Sequence, residues 1–557
     1  MKSQAVNRLL GTYLLGTVVS VTLFVSPWNS IDPVNLPKLT MLGALAIIAA
    51  TLAISNSNFL RAHKNRFFIL TVSLFIAQLT LVFLIGKGDF SFKFYGTPSR
   101  NTGFLAYFSL TCVLFASAVS ASKQLLNKFV VALLGVGVVL SIYGLAQSRG
   151  LDIWDYVNAY GSNVFGTFGN PNFQSAFMGI TAAVAMTWVL LSALSIKYKL
   201  GLLIISILAL TNVALSSEQG YLNFIAGLSS AIIVYLFSKR KFTFAWFFLA
   251  ITALGSFLVF LAILNMGPLA SILYKASLQA RGFYWRAALK MMADQPFFGV
   301  GIDGFGDWYR RSRTQSVAES YTGILADTAH SIPLDIGASG GLPLLLLYLI
   351  PIGLAVVSIV KVVKRSNDFE VVFASIVAAW VAYQAQSLIS INQLGVGIWG
   401  WSLTGLLIGY ELNTREHTEP SFHKNIKGKL EADNKIPGAI FLIAVVAGAI
   451  GLAISLPPYL AANKYYKVLQ SGDAILLQKS TYLKPYDKTR FLYSAQILAD
   501  NKLEKQAIEV LQDAAKIYPD SFELWQRWAQ IPSASPEQVA KARAEMKRLD
   551  PFNPELK

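Results

Sequence analysis

The stretch SGGLPLLLLYLIPIGLAVVSIV, residues 339–360, contains no charged side chain. A helix needs about 20 predominantly apolar residues to cross the hydrocarbon core of a bilayer. Lipid offers the backbone no hydrogen-bond partners, and the stretch lacks the alternation that is typical of strands, so a helix is the structure that can span it. We therefore predict that this stretch crosses a membrane.

Apolar runs of similar length recur along most of the chain. Hydrophobic residues make up 54% of the 557 positions and charged residues 14%, whereas a soluble domain has about 25% charged residues. The expected fold class is therefore all-α, a polytopic membrane protein with about 13 transmembrane helices. Besides 339–360, the predicted spans are 9–27, 37–56, 67–86, 101–121, 128–147, 171–195, 198–216, 220–238, 242–265, 369–388, 394–411 and 437–460.

The net charge of +17 does not indicate a nucleic-acid partner. Most lysines and arginines lie in short loops between apolar runs or in the C-terminal tail, and they form no basic and aromatic face. With the N-terminus in the cytoplasm, the more basic loops fall on the cytoplasmic side, as membrane proteins require. An odd number of spans then puts the C-terminal domain outside the cytoplasm. The lipid bilayer is the partner that this charge pattern predicts.

Four regions follow from these spans. Residues 1–265 are the N-terminal transmembrane helices, 266–338 a large extracytoplasmic loop expected to carry the site, 339–460 the C-terminal transmembrane helices, and 461–557 an extracytoplasmic helical domain. In the tail, prolines recur at intervals of 34 and 32 residues, which resembles tetratricopeptide repeats; a generic domain of helical hairpins is the alternative. We expect the tail to pack on the outer loops and to be able to bind a protein partner. The prolines are Pro485, Pro519 and Pro551.

Only one of the four histidines falls in the predicted outer loop. His63, His417 and His423 lie in predicted cytoplasmic loops, whereas His330 lies in the sequence DTAHSIPLDIGASGGLP. Histidine exchanges protons near neutral pH, so His330 is a candidate catalytic residue; a structural histidine at the membrane interface is the alternative. The spans hold almost no ionisable residues, which argues against a proton-coupled transporter.

Arginines cluster in the same outer loop. A guanidinium group binds phosphate through two parallel hydrogen bonds, so the cluster favours an anionic ligand. Pairing with the loop carboxylates Asp294, Asp303, Asp307 and Glu319 is the alternative. Neither a metal-binding constellation nor a cofactor motif is found in the sequence. The arginines are Arg281, Arg286, Arg310, Arg311 and Arg313.

Several segments resemble the O-antigen ligase and O-antigen polymerase family of bacterial envelope glycosyltransferases. The clearest are GTFGNPNFQSAFM (166–178), RGFYWRAALKMMADQPFFGVGIDGFGDWY (281–309) and AHSIPLDIGASGGLPLLL (329–346), and the weaker ones are YGTPSRNTG (95–103), YGLAQ (143–147) and QSLISINQLG (386–395). The resemblance implies a GT-C-like, metal-independent glycosyltransferase without a cofactor. Its donor would be a glycan on undecaprenyl diphosphate, a polyprenyl-diphosphate lipid, at the outer face of the bacterial cytoplasmic (inner) membrane. Its acceptor would be a glycan, a lipid or a protein.

The resemblance also implies roles for individual residues. His330 would be catalytic, by assisting deprotonation of the acceptor or by orienting the donor. Arg281, in an R-x-x-x-W pattern with Trp285, would bind the donor diphosphate, and the adjacent Arg286 is a second candidate. The residues expected to line the site are Asn170, Asn172, Trp285 and Asp303.

The sequence departs from the family at one motif. Where the family often has Ser-Arg-Gly after a span, this chain has Ser217-Glu218-Gln219-Gly220. Gln219 keeps hydrogen-bonding ability without the charge, and a neutral contact is about half as strong as a charge-assisted one. Arg100, in another outer loop, could compensate.

An O-antigen ligase-like transferase is the function that these patterns favour. Glycan polymerase and protein O-oligosaccharyltransferase activities within the same family are alternatives. A non-catalytic transporter or assembly factor for envelope glycans is an alternative of another class, and loss of the Ser-Arg-Gly arginine keeps an inactive family member in consideration.

Overall fold

A computed structural model describes residues 2–28, 30–152, 161, 163–264, 266–273, 276–321, 323–366, 368–415 and 438–556. This part of the chain contains helices and no strands, so the predicted all-α class is confirmed. Two of the histidines assigned to predicted cytoplasmic loops, His417 and His423, lie outside the described residues.

Long helices dominate the described part of residues 1–265. Each of the nine spans predicted in this region falls on one of them, and two short helices join neighbouring spans. The helices are α1 (Lys2–Leu23), α2 (Asn35–Ile54), α3 (Ser57–Arg61), α4 (Arg66–Ile85), α5 (Phe90–Tyr95), α6 (Phe104–Ser120), α7 (Lys123–Gln147), α8 (Pro171–Leu191), α9 (Ile196–Ser216), α10 (Gln219–Ser238) and α11 (Phe242–Ile263).

The predicted outer loop is itself largely helical, and one helix runs from it into the membrane region. The predicted span 339–360 lies within this helix, which begins at Ile332. The helices that follow α11 are α12 (Ala270–Leu273), α13 (Ala276–Asp294), α14 (Phe305–Ser312), α15 (Gln315–Ser320), α16 (Ile332–Arg365), α17 (Val371–Ile389), α18 (Leu394–Thr414) and α19 (Gly438–Ser455).

Ten helices in the described part are long and apolar enough to cross a membrane. The other three predicted spans fall on α1, α6 and α18, and α6 is shorter, with 17 residues. The longer helices pack on one another and bury an extended apolar core. The chain is therefore a polytopic all-α membrane protein.

Three hydrogen bonds join pairs of segments that the sequence predicts to be cytoplasmic. Contacts join the N-terminal segment to the α2–α3 turn, the α6–α7 turn to the start of α17, and the end of α10 to the α16–α17 connection. The joining contacts are Asn56–Asn7 at 2.9 Å, Lys123–Glu370 at 2.8 Å and Lys239–Asp368 at 2.7 Å.

A sharp kink divides α16 at Gly341, whose φ of +76° is left-handed. A Cβ at this position would lie 2.6 Å from the carbonyl oxygen of Pro296, so only glycine fits here without strain. Leu342 donates its N–H to that oxygen at 2.7 Å, and Val300 donates to the carbonyl of Ala338 at 2.8 Å. The glycine-rich segment after α13 is therefore fixed by close backbone packing against α16.

The tail continues from α19 as a series of helices, each packed on the next. One face of α23 is fully buried and includes Ala507, Leu511 and Ala514. This serial order is what a repeat array requires, and assignment to the tetratricopeptide class stays a prediction. The helices are α20 (Pro457–Ser471), α21 (Ala474–Thr481), α22 (Lys488–Asp500), α23 (Glu504–Ile517), α24 (Phe522–Ala529) and α25 (Pro536–Leu549).

The tail docks on the outer loop through charged side chains of α14 and the residue that follows it. Arg313 and Asp550, both buried, form a direct ion pair, and the Arg310 guanidinium lies 3.9 Å from the ring centre of Phe522. Three of the loop arginines thus pair with carboxylates, as the alternative to anion binding proposed, but with partners in the tail. The ion pairs are Arg310–Glu523 at 3.3 Å, Arg311–Asp520 at 3.0 Å and Arg313–Asp550 at 2.7 Å.

Candidate functional site

His330 lies immediately before α16 in a strained backbone conformation. Its φ of +49° is left-handed, which is unusual for a residue with a side chain and is found preferentially at functional sites. The preceding residue is held in place because Ala329 donates its N–H to the carboxylate of Asp335, in the first turn of α16, at 3.1 Å. The start of α16 therefore fixes the position of the histidine.

The contacts of the imidazole favour one tautomer. Nδ1 lies 3.2 Å from the hydroxyl of Thr328 and 3.4 Å from the carbonyl oxygen of the same residue. A proton on Nδ1 can be donated to that carbonyl, which leaves the lone pair of Nε2 free to accept a proton. His330 is half-buried, so its other edge remains open to a ligand.

The second side of the site is one face of α13. Arg281, Tyr284 and Trp285 share this face because residues three and four positions apart are neighbours on a helix. The Tyr284 ring lies 5.2 Å from the His330 ring, centre to centre. Trp285 stacks on Phe260 of α11 at 6.3 Å. The predicted R-x-x-x-W pair is thus next to the predicted histidine.

Two N–H groups on this face have no hydrogen-bond partner among the described residues. They are Nε of Arg281 and Nε1 of Trp285, and both atoms are buried. A buried donor without a partner costs about 1–3 kcal/mol, and more when it is charged. Burial also lowers the pKa of Arg281, although a guanidinium remains protonated in proteins. The pair is suited to an anion with several acceptor oxygens. Arg286, by contrast, is exposed on α13.

Arg100, which lies much earlier in the chain than His330, also contributes to the site. Its Nε donates to Asp327 at 2.8 Å, and a second nitrogen lies 3.3 Å from the other carboxylate oxygen. Burial acts to raise the pKa of Asp327, but the charge of Arg100 and its hydrogen bond hold that pKa below its usual value. This ion pair joins the 95–103 segment to the His330 segment.

These charges set the protonation of the histidine. Burial lowers the pKa of His330; the Asp327 carboxylate opposes this shift, and the positive charges of Arg281 and Arg100 add to it. The neutral imidazole, which can accept a proton, therefore predominates at neutral pH.

Residues from three of the segments that carry the family resemblance line a cleft beside Arg100. Its empty volume is about 570 Å³, and its lining includes Ser99 and Arg100, Phe168 to Asn170, and Asn392 with Gln393. Asn170 caps α8 by accepting the N–H of Asn172 at 2.9 Å. The predicted lining residue Asn170 thus shares a cleft with Arg100, and Asn172 sits half-buried on the first turn of α8.

Asp303 lies behind the site and holds the 95–103 segment in place. Its carboxylate accepts the backbone N–H of Thr97 and, at 3.0 Å, the hydroxyl of Thr102. Burial raises the pKa of Asp303, and these hydrogen bonds oppose the shift. With Asp335 it lines a small cavity of about 310 Å³. Asp303 therefore positions the loop that carries Arg100.

Gln219 sits at the start of α10 and contacts a different helix. Its amide donates to the Gln386 side chain of α17, which also accepts from Asn223 at 3.1 Å. Gln219 is only 8% exposed. The structure therefore brings Arg100, Arg281 and Asp327 close to His330, whereas Gln219 belongs to an amide network between α10 and α17.

Three residues of this site were not singled out from the sequence. Asp327 lies three positions before His330 in the same motif, and Asp335 lies five positions after it. Acidic residues this close to a candidate base are a signal that could have identified both. Tyr284 lies three positions after Arg281, and this spacing puts it on the same helix face.

Residues 201–349 match the sequence model of the O-antigen ligase family. This region includes Arg281, Trp285 and His330, whereas Arg100 and Asn170 lie before it. No curated protein matches the chain. The match supports the family that the motifs predicted: residues 201–349 of this chain are similar to the O-antigen ligase family.

Proposed function

We propose that this protein is a glycosyltransferase that moves a glycan from a polyprenyl diphosphate to an acceptor at the outer face of the cytoplasmic membrane. The observation that carries the proposal is a half-buried histidine near a half-buried arginine, Arg281, whose buried Nε has no partner among the described residues. Both groups lie inside the region that matches the O-antigen ligase family. In this proposal the N-terminus is cytoplasmic and the tail is extracytoplasmic.

The chemistry follows from the two sides of the site. The hydroxyl of the acceptor attacks the anomeric carbon of the donor sugar, and the bond to the diphosphate breaks. Nε2 of His330 accepts the hydroxyl proton as the new bond forms. The N–H groups of Arg281 and Trp285 stabilise the negative charge that develops on the leaving diphosphate. Arg100 and Asp327 hold the histidine segment and tune its pKa.

The test is transfer by the full-length protein in nanodiscs. The donor is a polyprenyl-diphosphate-linked oligosaccharide, and released polyprenyl diphosphate is measured with glycan, lipid and protein acceptors in separate arms. His330→Gln should lower kcat by about 10²–10⁴-fold, as expected for loss of a general base. Arg281→Ala should lower it by about 10²–10³-fold, as expected for loss of one oxyanion contact.

Lys290→Ala is the matched control, because this residue is on the same helix and forms an exposed ion pair with Asp294. It should leave the rate unchanged. Wild-type release with unaffected His330 and Arg281 variants would refute this site but not the transferase activity. No release by the wild type with any acceptor would favour the transporter or assembly-factor alternative.

A further inference from the structure

A second cleft lies where the tail packs on the outer loops. Its empty volume is about 970 Å³, and its walls come from the segment before α2, from α5 and the residues after it, and from residues 485–493 of the tail. Ser99 lines both this cleft and the cleft that holds Arg100. The two clefts are therefore neighbours, separated by the loop that carries Arg100.

Aromatic rings form much of the wall of this second cleft. Tyr95, Tyr486, Tyr493 and Tyr518 all line it. Tyr493 is 51% exposed, and Tyr486 is held edge-on to Phe491 with the ring centres 6.0 Å apart. Tyrosine offers a flat apolar face and a polar hydroxyl on a side chain with little conformational freedom. Such faces suit a ligand that has apolar C–H faces and a polar rim.

Three residues that line the cleft contain polar atoms that the described residues do not satisfy. Oδ2 of Asp32, Oδ1 of Asn101 and Nη1 of Arg490 are buried without a hydrogen-bond partner among them. The three residues are at most 8% exposed. Asp32 is also fixed in position, because its other oxygen accepts the N–H of Val34 at 3.1 Å. Buried polar groups normally form hydrogen bonds, so we expect these atoms to bond to a ligand or to water.

The pattern of these atoms identifies the chemical class of the ligand. Two acceptors and one donor match hydroxyl groups, which can donate and accept. The cleft also includes the carboxylate of Asp487, which caps α22 by accepting the N–H of Thr489 at 2.8 Å. Lys488 and Arg490 also line the cleft, so two cations balance its two carboxylates. Lys488 already pairs with Asp307 at 2.7 Å, and Arg490 lies 3.8 Å from Asp487. This balance favours an uncharged polyhydroxyl ligand here and leaves the diphosphate near Arg281.

We propose that this second cleft binds a short run of neutral pyranose sugars. Those sugars belong either to the glycan that is transferred or to the glycan that receives it. The inference rests on the proposed function and deepens it, because it assigns a sugar-binding role to the junction between the tail and the outer loops.

The binding test needs neither the diphosphate nor turnover. The probe is the oligosaccharide of the source cell's own polyprenyl-linked glycan, freed by mild acid, and affinity for the full-length protein in nanodiscs is measured by calorimetry. Tyr493→Ala should weaken binding by about tenfold, since it removes the most exposed ring. Ile475→Ala, which truncates a 69% exposed side chain of the tail outside the cleft, should not change it.

The proposal would be overturned if Tyr493→Ala and Ile475→Ala changed the affinity for the oligosaccharide equally. It would also be overturned if the folded wild type did not bind the oligosaccharide. Binding that persists while polyprenyl diphosphate release is absent would instead refute the proposed function and keep the sugar site. In the transfer assay, Tyr493→Ala should raise one KM with little change in kcat. A raised donor KM identifies the transferred glycan, a raised acceptor KM identifies the receiving glycan, and two unchanged values would contradict the role in transfer.

Discussion

Removal of the Asp550 carboxylate should undock the tail from the outer loop. Asp550 is completely buried, and its Oδ2 lies 2.7 Å from Arg313 and 3.4 Å from Arg310. Asp550→Ala would leave two arginine side chains without this partner in a protein interior. Breaking a buried ion pair on one side costs about 3–5 kcal/mol, because the remaining charge stays desolvated.

Hydrogen exchange of the protein in nanodiscs measures this cost. A loss of about 3–5 kcal/mol corresponds to between about a hundredfold and a few thousandfold less protection. The loss should be confined to amides of α14 and α25 and their neighbours, because local openings expose the elements whose contacts are lost. Lys516→Ala is the matched control, because the ion pair of Lys516 with Asp513 is mostly exposed and the lysine side chain is 76% accessible. Exposed ion pairs contribute less than about 1 kcal/mol to stability.

The double variant Arg313→Met, Asp550→Leu separates charge from packing. Apolar residues of similar volume often replace a buried ion pair with little loss, so much of the protection should return. The reasoning would be refuted if Asp550→Ala lost no more protection than Lys516→Ala. It would also be refuted if the double variant were no better protected than the single one.

The remaining predictions concern the histidine and the kink of α16. Activity requires neutral His330, whose pKa is lowered, so kcat/KM should fall only as the pH drops through that lowered value. Asp327→Asn should move this acid limb to lower pH and Arg100→Ala to higher pH; a limb unmoved in both variants would exclude His330 as the base. Gly341→Ala should lower the free energy of unfolding by at least about 2 kcal/mol, since φ is +76° and a carbonyl blocks the Cβ. Gly353→Ala, with nothing within 4 Å, should change it by less than about 1 kcal/mol, as thermal unfolding will show.

Much of the candidate site could be predicted from local sequence. The spacing of Arg281 and Trp285 puts both on one face of a helix, and a lone outer histidine suggests a base. The segments that resemble the family also predicted the family whose sequence model matches residues 201–349. Each of these inferences uses residues close together in the chain, where helix periodicity is enough to relate their positions.

The partners of the loop arginines could not be predicted in this way. Arg310, Arg311 and Arg313 have suitable carboxylates in their own loop, yet they pair with residues more than 200 positions further along the chain. The ion pair between Arg100 and Asp327 likewise joins residues 227 positions apart. Charge alone does not distinguish among partners, because any nearby carboxylate satisfies an arginine equally well.

The sequence by itself determined the membrane-spanning helices, because the cost of exposing polar backbone to lipid leaves a long apolar run no other regular structure. It also determined which residue types could perform the chemistry. Only the tertiary structure decided which of them meet: it put Asp327 between Arg100 and His330, assigned Gln219 to Gln386, and formed the second cleft at the junction of the tail and outer loops. Those contacts depend on how helices pack and where α16 kinks, and packing geometry is set by the whole chain at once.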